Sequence, residues 1–276
     1  MSFILIKGTF HIVGYSPDGD SIRFQAFNPE NWQKLTGIPV SLNENNHAQI
    51  RLLGIDSLET HFRNSQQSIQ WALSAANFLL QTLGIDGVKW NENHSMIING
   101  KDGIEGFILV KKTDQHGRPL GFIFKGKIDL DDGITFFLPL ELLPKSLNYQ
   151  SLKNGQSYPT YYRGIAPTLR EKMTKIVCYA RKQQIGIWQY DQTNQGFNVW
   201  DLFIEEKKVI ILPKLFRRVI EHLEEYNNME KFKKSVIKSE KILILSTGKK
   251  TSFKDIIIQD NNLIKLANLP EDLVYL

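Results

Sequence analysis

The chain has 276 residues, 42% hydrophobic and 23% charged, which is ordinary globular composition with room for one large domain or a medium domain plus a smaller one. Lys and Arg total 34 against 29 Asp and Glu, a net +5 that permits a polyanionic partner without demanding one. The single cysteine, Cys178, excludes an intramolecular disulfide framework and any multi-cysteine zinc or iron–sulfur site, so a bound metal must be held mainly by oxygen or histidine.

Residues 1–13 lack an apolar core followed by a small-residue cleavage site and do not read as a secretory signal. The longest apolar clusters, 134–143 and 209–212, fall short of the roughly 20 residues that span a bilayer. The expectation is a soluble, cytoplasmic protein with no membrane partner.

In chain order, the alternation at Phe10 and Ile12, the turn Tyr15-Ser16-Pro17-Asp18-Gly19-Asp20 and the run Ser21-Ile22-Arg23-Phe24 predict a β-hairpin. Residues 28–46 are polar and rich in Asn and Pro and read as a long loop, followed by a strong strand over 48–55. A helix is predicted over 65–83, where Ile69, Leu73, Ala76 and Leu80 share one face and Gly84 closes the element. Residues 85–102 read as loop, and 106–112 and 120–124 as two further strands around the turn 113–119. Helices are predicted over 140–153, ended by Gly155, and over 167–184, where Leu169, Met173, Ile176, Val177 and Ala180 form a stripe. Five strands with helices at their ends fit a small closed sheet such as an OB-type barrel.

After Trp188 the character changes. Residues 189–200 read as a connector, 214–226 as an amphipathic helix aligned on Leu215, Val219 and Leu223, and 242–245, 255–258 and 263–266 as strands. Residues 189–276 hold 14 basic and 13 acidic side chains, which leaves 20 and 16 to residues 1–188, so most of the excess charge belongs to the first part.

Three short pieces concentrate charge. Asp18-Gly19-Asp20-Ser21 lies in the hairpin turn. In 50–61, Arg51 sits in an apolar strand with Asp56 and Glu59 just past its end. Asp114-Gln115-His116-Gly117-Arg118-Pro119 puts a second arginine in a turn. Singly, each is routine turn or edge chemistry. Together, three carboxylates and two guanidinium groups suit metal-assisted displacement at phosphorus: oxygens hold a divalent ion, arginines fork onto phosphate oxygens, and a carboxylate orients or deprotonates water.

These pieces, in this order and with the five-residue step from Arg51 to Asp56 and the three-residue step from Asp56 to Glu59, resemble the successive signatures of the staphylococcal nuclease (thermonuclease) family. Leu147-Asn148, Gly155, Tyr161 and Gly186-Ile187-Trp188 resemble its C-terminal helices, and the likeness runs from about Gly8 to Asp191. The resemblance implies an α+β chain: an OB-fold five-stranded β-barrel with flanking helices over residues 1–191. A small C-terminal α+β accessory region of unassigned function would follow over 197–276.

The implied activity is Ca²⁺-dependent endonucleolytic hydrolysis of DNA and RNA leaving 3′-phosphate ends. One calcium ion would be held by Asp20, Asp56 and the Ser57 carbonyl. Glu59 would position or deprotonate the attacking water, Arg51 and Arg118 would grip the phosphate, and Tyr161 would lie near the nucleotide. The chain departs from the family at Ser57-Leu58-Glu59, where Thr-Pro-Glu is usual, and at Gln115-His116, where a Lys-Tyr pair is common. His116 is a candidate replacement for the phenol as a substrate contact, whereas His61 reads as loop surface.

Between Lys231 and Lys254 the C-terminal region has eight lysines and one acid, Glu240, with Phe232 and Phe253 nearby. It reads either as an auxiliary nucleic-acid grip or as a solvated surface. Two further readings stay open: a non-catalytic scaffold binding nucleic acid or protein, and a nuclease effector controlled by a protein partner or inhibitor. A scaffold would be marked by substitutions at Arg51, Glu59, Arg118 or the acidic pair, and the sequence has none.

Overall fold

Runs of β-branched and aromatic residues build most of the frame. In the computed structural model, which describes residues 2–236 and 240–276, the first strands are β1 (Ser2–His11), β2 (Ser21–Ala26), β3 (Ala48–Leu52), β4 (Ile55–Asp56), β5 (Lys89–Trp90), β6 (Ile97–Asn99), β7 (Ile104–Thr113), β8 (Pro119–Lys125) and β9 (Thr135–Phe137). They are followed by β10 (Tyr158–Pro159), β11 (Tyr161–Tyr162), β12 (Phe197–Asn198), β13 (Lys241–Ile244), β14 (Lys250–Ser252), β15 (Ile257–Asp260), β16 (Leu263–Leu266) and β17 (Leu273–Tyr275). The α-helices are α1 (Ile69–Leu83), α2 (Leu147–Lys153), α3 (Pro167–Lys182), α4 (Pro213–Tyr226) and α5 (Phe232–Ser235). Two compact units result, Met1–Leu53 with Ser74–Ser151 and Gly54–Leu73 with Leu152–Leu276. Among the described residues no helix is long and apolar enough to cross a membrane.

The first unit is a closed five-stranded barrel. Strand β1 pairs antiparallel with β2, β2 with β3, β3 in parallel with β8, β8 antiparallel with β7, and β7 back with β1. Closure removes the exposed edges that five short strands would otherwise carry. Phe3, Phe10, Phe24, Ile50, Leu52 and Phe122 are among its fully buried side chains, and the predicted hairpin is β1–β2 with Phe10 opposite Phe24.

The parallel β3–β8 pairing covers only Arg51 to Leu52, and a buried side chain continues it. Asn148 in α2 accepts from the Ile123 amide at 3.1 Å and donates to the Leu53 and Gly121 carbonyls at 2.9 and 3.0 Å. One amide thereby supplies backbone partners where the ladder stops.

Several predicted elements are corrected. The loop read over 28–46 contains a 3-10 turn, Pro29–Lys34, with the Asn28 side chain as its cap and Trp32 edge-on to Phe24 at 6.3 Å. The strand over 48–55 breaks at Leu53-Gly54 into β3 and β4. The loop over 85–102 holds the short hairpin β5–β6.

Pro144 delays the helix expected from residue 140, so only a 3-10 turn forms at Leu143–Lys145 before α2 begins at Leu147. Residues 253–256 form a 3-10 turn with a Ser252–Asp255 capping box, so the strand expected over 255–258 starts at Ile257. On α1 the buried face is Ala72, Ala75, Ala76, Leu79, Leu80 and Leu83. Ile69 and Leu73 of the predicted stripe are only half-buried.

The second unit joins segments distant in sequence. Strand β4 pairs with β10, β11 runs parallel to β17 in the sheet β11-β17-β13-β14, and β12, β16 and β15 form a third sheet. Arg181 of α3 donates to Asp191 at 2.8 Å and to Glu271 at 2.7 Å, with its guanidinium 4.0 Å from the Trp188 ring centre. Gly155 and Gly186 lie against each other, where a Cβ on either would come within 2.2 Å of a backbone oxygen. Thus 197–276 supplies strands and α4 to the same unit as 54–73 and 152–188.

Phe232 and Phe253 are core residues of this unit, with 0% and 1% exposure, and present no face for a base to stack on. Seven of the eight lysines in the basic run are exposed, and Lys238 lies outside the described residues.

Candidate functional site

The boundary between the units falls between Leu53 and Gly54, so the Arg51-to-Glu59 motif is carried by both. Asp20, Arg51, His116 and Arg118 belong to the first unit, and Asp56, Ser57, Glu59 and Tyr161 to the second.

In the first unit Asp20 ends the β1–β2 turn as a buried carboxylate. Ser21, next in the chain, stands opposite Arg51 across the β2–β3 ladder, which brings the Arg51 guanidinium onto Asp20 as an ion pair. The backbone secures the same approach, since the Leu52 amide donates to the Asp20 carbonyl at 2.8 Å. A guanidinium in an apolar strand is thus explained by a buried carboxylate beside it, and the pair compensates two charges that would be costly alone.

Arg118 is fixed differently. Asp114 accepts from the Arg118 amide at 3.0 Å, the His116 amide at 2.9 Å and Arg118 Nε at 2.7 Å. One carboxylate therefore folds the turn and aims the arginine. Burial by itself would raise the Asp114 carboxyl, but the backbone donors and the Arg118 side chain outweigh it and hold it below the ordinary range. The Arg118 side chain is 32% exposed. His116 is exposed, with its Nε2 3.2 Å from the side-chain Nε2 of Gln115.

A lowered carboxyl contributes stability that is present above its unfolded value and is lost as the pH falls through the folded one. Below about pH 4, near the unperturbed Asp value, acid unfolding followed by circular dichroism is expected to be shallower for Asp114→Asn than for the wild type.

In the second unit the site starts at Gly54, whose φ is +84° and whose missing Cβ leaves room for Met173 Cε, 2.8 Å from where that Cβ would be. The turn delivers β4 to β10, with Asp56 opposite Tyr158 and the Thr160 amide donating to the Gly54 carbonyl at 3.0 Å. Gly54→Ala is expected to lower stability by about 1–2 kcal/mol from left-handed backbone strain alone, measurable as a shift of the urea midpoint with unchanged slope.

Asp56 and Ser57 are buried, at 1% and 4% exposure. The loop after them is clasped by Gln67: its Oε1 accepts from the Glu59 amide at 3.1 Å, its own amide donates to the Glu59 carbonyl at 3.0 Å, and its Nε2 donates to the Ile211 carbonyl at 2.8 Å. Ile211 lies one residue before Leu212, the N-cap of α4, and the clasp ties the acidic loop to the start of that helix.

On α4, Arg217 turns its guanidinium onto both acids. Nη2 donates to Asp56 Oδ2 at 2.8 Å, Nη1 reaches Asp56 Oδ1 at 3.4 Å, and Nη1 also pairs with Glu59. Burial would lower the Arg217 pKa, but the two carboxylates raise it further, so it stays charged. Among the described residues no group of three or more His, Cys, Asp or Glu side chains is gathered as a metal cage.

Tyr161 is fully buried, with its hydroxyl accepting from Thr174 Oγ1 at 3.1 Å. Burial pushes the phenol well above its usual range. In this arrangement it offers no surface to a nucleotide, whereas its neighbour Tyr162 is exposed.

Sequence reasoning brought out Asp56 and Glu59 but not Arg217, 158 residues beyond Glu59. The available signal was weak: adjacent arginines, 217 and 218, on an amphipathic helix whose apolar face is Leu215, Phe216, Val219 and Ile220. Comparison with known families and with curated proteins finds no family model and no curated relative that matches this chain.

Proposed function

We propose that the chain is a metal-dependent phosphodiester hydrolase acting on nucleic acid, with calcium as its ion. The observation that carries the reading is the convergence of Asp56 and Glu59 on one positive charge, the Arg217 guanidinium. Two hard oxygen donors around a spot already occupied by a cation fit a hard divalent ion. When bound, such an ion polarises a phosphoryl oxygen and makes water more acidic.

On this reading Asp56 holds the ion together with Asp20 and the Ser57 carbonyl. Glu59 orients or deprotonates the attacking water. Arg51 and Arg118 bind the non-bridging phosphate oxygens, a task for which a planar fork is better shaped than an ammonium. The Asp114 contact supports that role, since it engages the Nε of an Arg118 side chain that is 32% exposed. The exposed His116 fits a contact at the substrate's periphery. For the barrel, the order β1-β2-β3-β8-β7 with a parallel closing pair supports an OB-type assignment.

The deciding experiment incubates the purified full chain with single-stranded DNA, duplex DNA and RNA in Ca²⁺, Mg²⁺ or chelator, followed by end-group analysis. Calcium-dependent cleavage leaving 3′-phosphate is expected. Absence of cleavage under all conditions would overturn the reading in favour of a non-catalytic scaffold.

A further inference from the structure

The residue sequence reasoning missed gives the site a feature that goes beyond hydrolysis. We propose that Arg217 is an intramolecular plug: it and a divalent cation are alternative partners of Asp56 and Glu59, so the resting chain has to release Arg217 before it binds metal. The inference rests on the functional reading above and concerns its regulation.

The geometry argues for exclusion rather than coexistence. Arg217 donates through both terminal nitrogens, reaching both oxygens of Asp56 and also Glu59. A divalent ion bound through the same oxygens would be a near neighbour of the guanidinium, in a setting where Asp56 is almost wholly out of water and like charges are poorly screened. Arginine cannot relieve the conflict by losing its proton, so it has to move.

Its position is held by several contacts along α4. The Leu212 amide donates to Thr193 Oγ1 at 2.9 Å, and Gln67 ties Ile211 to the Glu59 loop. Lys214, nearly buried, donates to Glu240 at 2.5 Å and to the Tyr162 hydroxyl at 3.2 Å, with its ammonium 4.1 Å from the Tyr275 ring centre. Arg63 in the loop after Glu59 pairs at 2.5 Å with Glu224, in the last turn of the same helix. The helix and the acidic loop are thus fastened at both ends of the Arg217 contact, as a stable plug requires. A merely solvated surface arginine would not be expected to reach a 1% exposed carboxylate.

The test is calcium titration by isothermal calorimetry on the full-length chain and on Arg217→Gln and Arg217→Lys, with folding checked by circular dichroism. Arg217→Gln is expected to bind Ca²⁺ at least about tenfold more tightly than the wild type and to cleave nucleic acid at correspondingly lower calcium. Arg217→Lys keeps a positive charge for the buried carboxylates but cannot fork across both, so a gain of about threefold is expected; this variant decides the matter if Arg217→Gln does not fold. Unchanged or weaker affinity in a folded variant, with calcium-dependent cleavage retained, overturns the plug and leaves the hydrolase reading standing. No calcium binding by the folded wild type or by either folded variant overturns both.

Discussion

On the proposed hydrolase reading, replacing Arg118 by lysine is expected to lower nucleic-acid cleavage by on the order of 10²–10³-fold, the usual cost of losing one preorganised donor to a developing negative charge. The reason lies in how the side chain is divided. Its Nε is committed to Asp114 at 2.7 Å, which sets the guanidinium plane; on the proposed reading the Nη groups are the ones that meet the phosphate. A lysine has one ammonium and must either satisfy Asp114 or reach the substrate; it cannot do both with fixed geometry.

Because Arg118 is partly exposed and sits in a turn, the fold should lose little, within about 0.5–1 kcal/mol. Steady-state kinetics on the most active substrate, beside a thermal melt, separate the two effects: kcat should fall while the melting temperature holds. Near-normal turnover in the purified variant would remove Arg118 from the active machinery. Asp114→Asn is an informative companion, since it retains an acceptor for the turn amides but replaces the oxygen that takes Arg118 Nε with a donor. Its loss should be smaller than that of Arg118→Lys.

Asn148→Ala is expected to destabilise the protein by about 2–4 kcal/mol. The substitution leaves the Ile123 amide and the Leu53 carbonyl without their side-chain partner in a fully buried place, and each unsatisfied group costs about 1–3 kcal/mol. The Gly121 carbonyl suffers less because it still accepts from the Leu53 amide at 2.9 Å. Urea unfolding followed by tryptophan fluorescence measures the change. A loss under about 1 kcal/mol would mean that water replaces the amide, and the β3–β8 opening would then not depend on Asn148. The same side chain holds Leu53, the last residue before the Gly54 turn, so its loss should also lower cleavage beyond what the reduced folded fraction explains.

Much of the molecule was legible from local pattern. Period-two alternation gave the β1–β2 hairpin and the strands that became β3, β7 and β8, and their number already suggested a closed barrel. The stripe on α3 was read correctly at Leu169, Met173, Val177 and Ala180, all buried. The arginine in the apolar strand β3 was legible as well, but its pairing with Asp20 was not. Where the reading failed, the deciding interaction lay outside the window. The stripe on α1 is rotated toward three alanines, and hydropathy alone favours the bulkier Ile69 and Leu73. Phe232 and Phe253, which stand beside many lysines in the sequence, belong to a core closed by strands from several parts of the chain.

The sequence by itself determined the inventory: three carboxylates and two arginines at fixed short spacings, on strand ends and turns, because turn formation and strand alternation act over a few residues. Only the tertiary structure decided how those charges are paired. Asp56 and Glu59 meet Arg217 because the Gln67 clasp and the fastened helix α4 bring together groups some 160 residues apart. No periodicity encodes a contact of that range, since it follows from the apolar faces that pack around it and from the need of a buried charge for a partner.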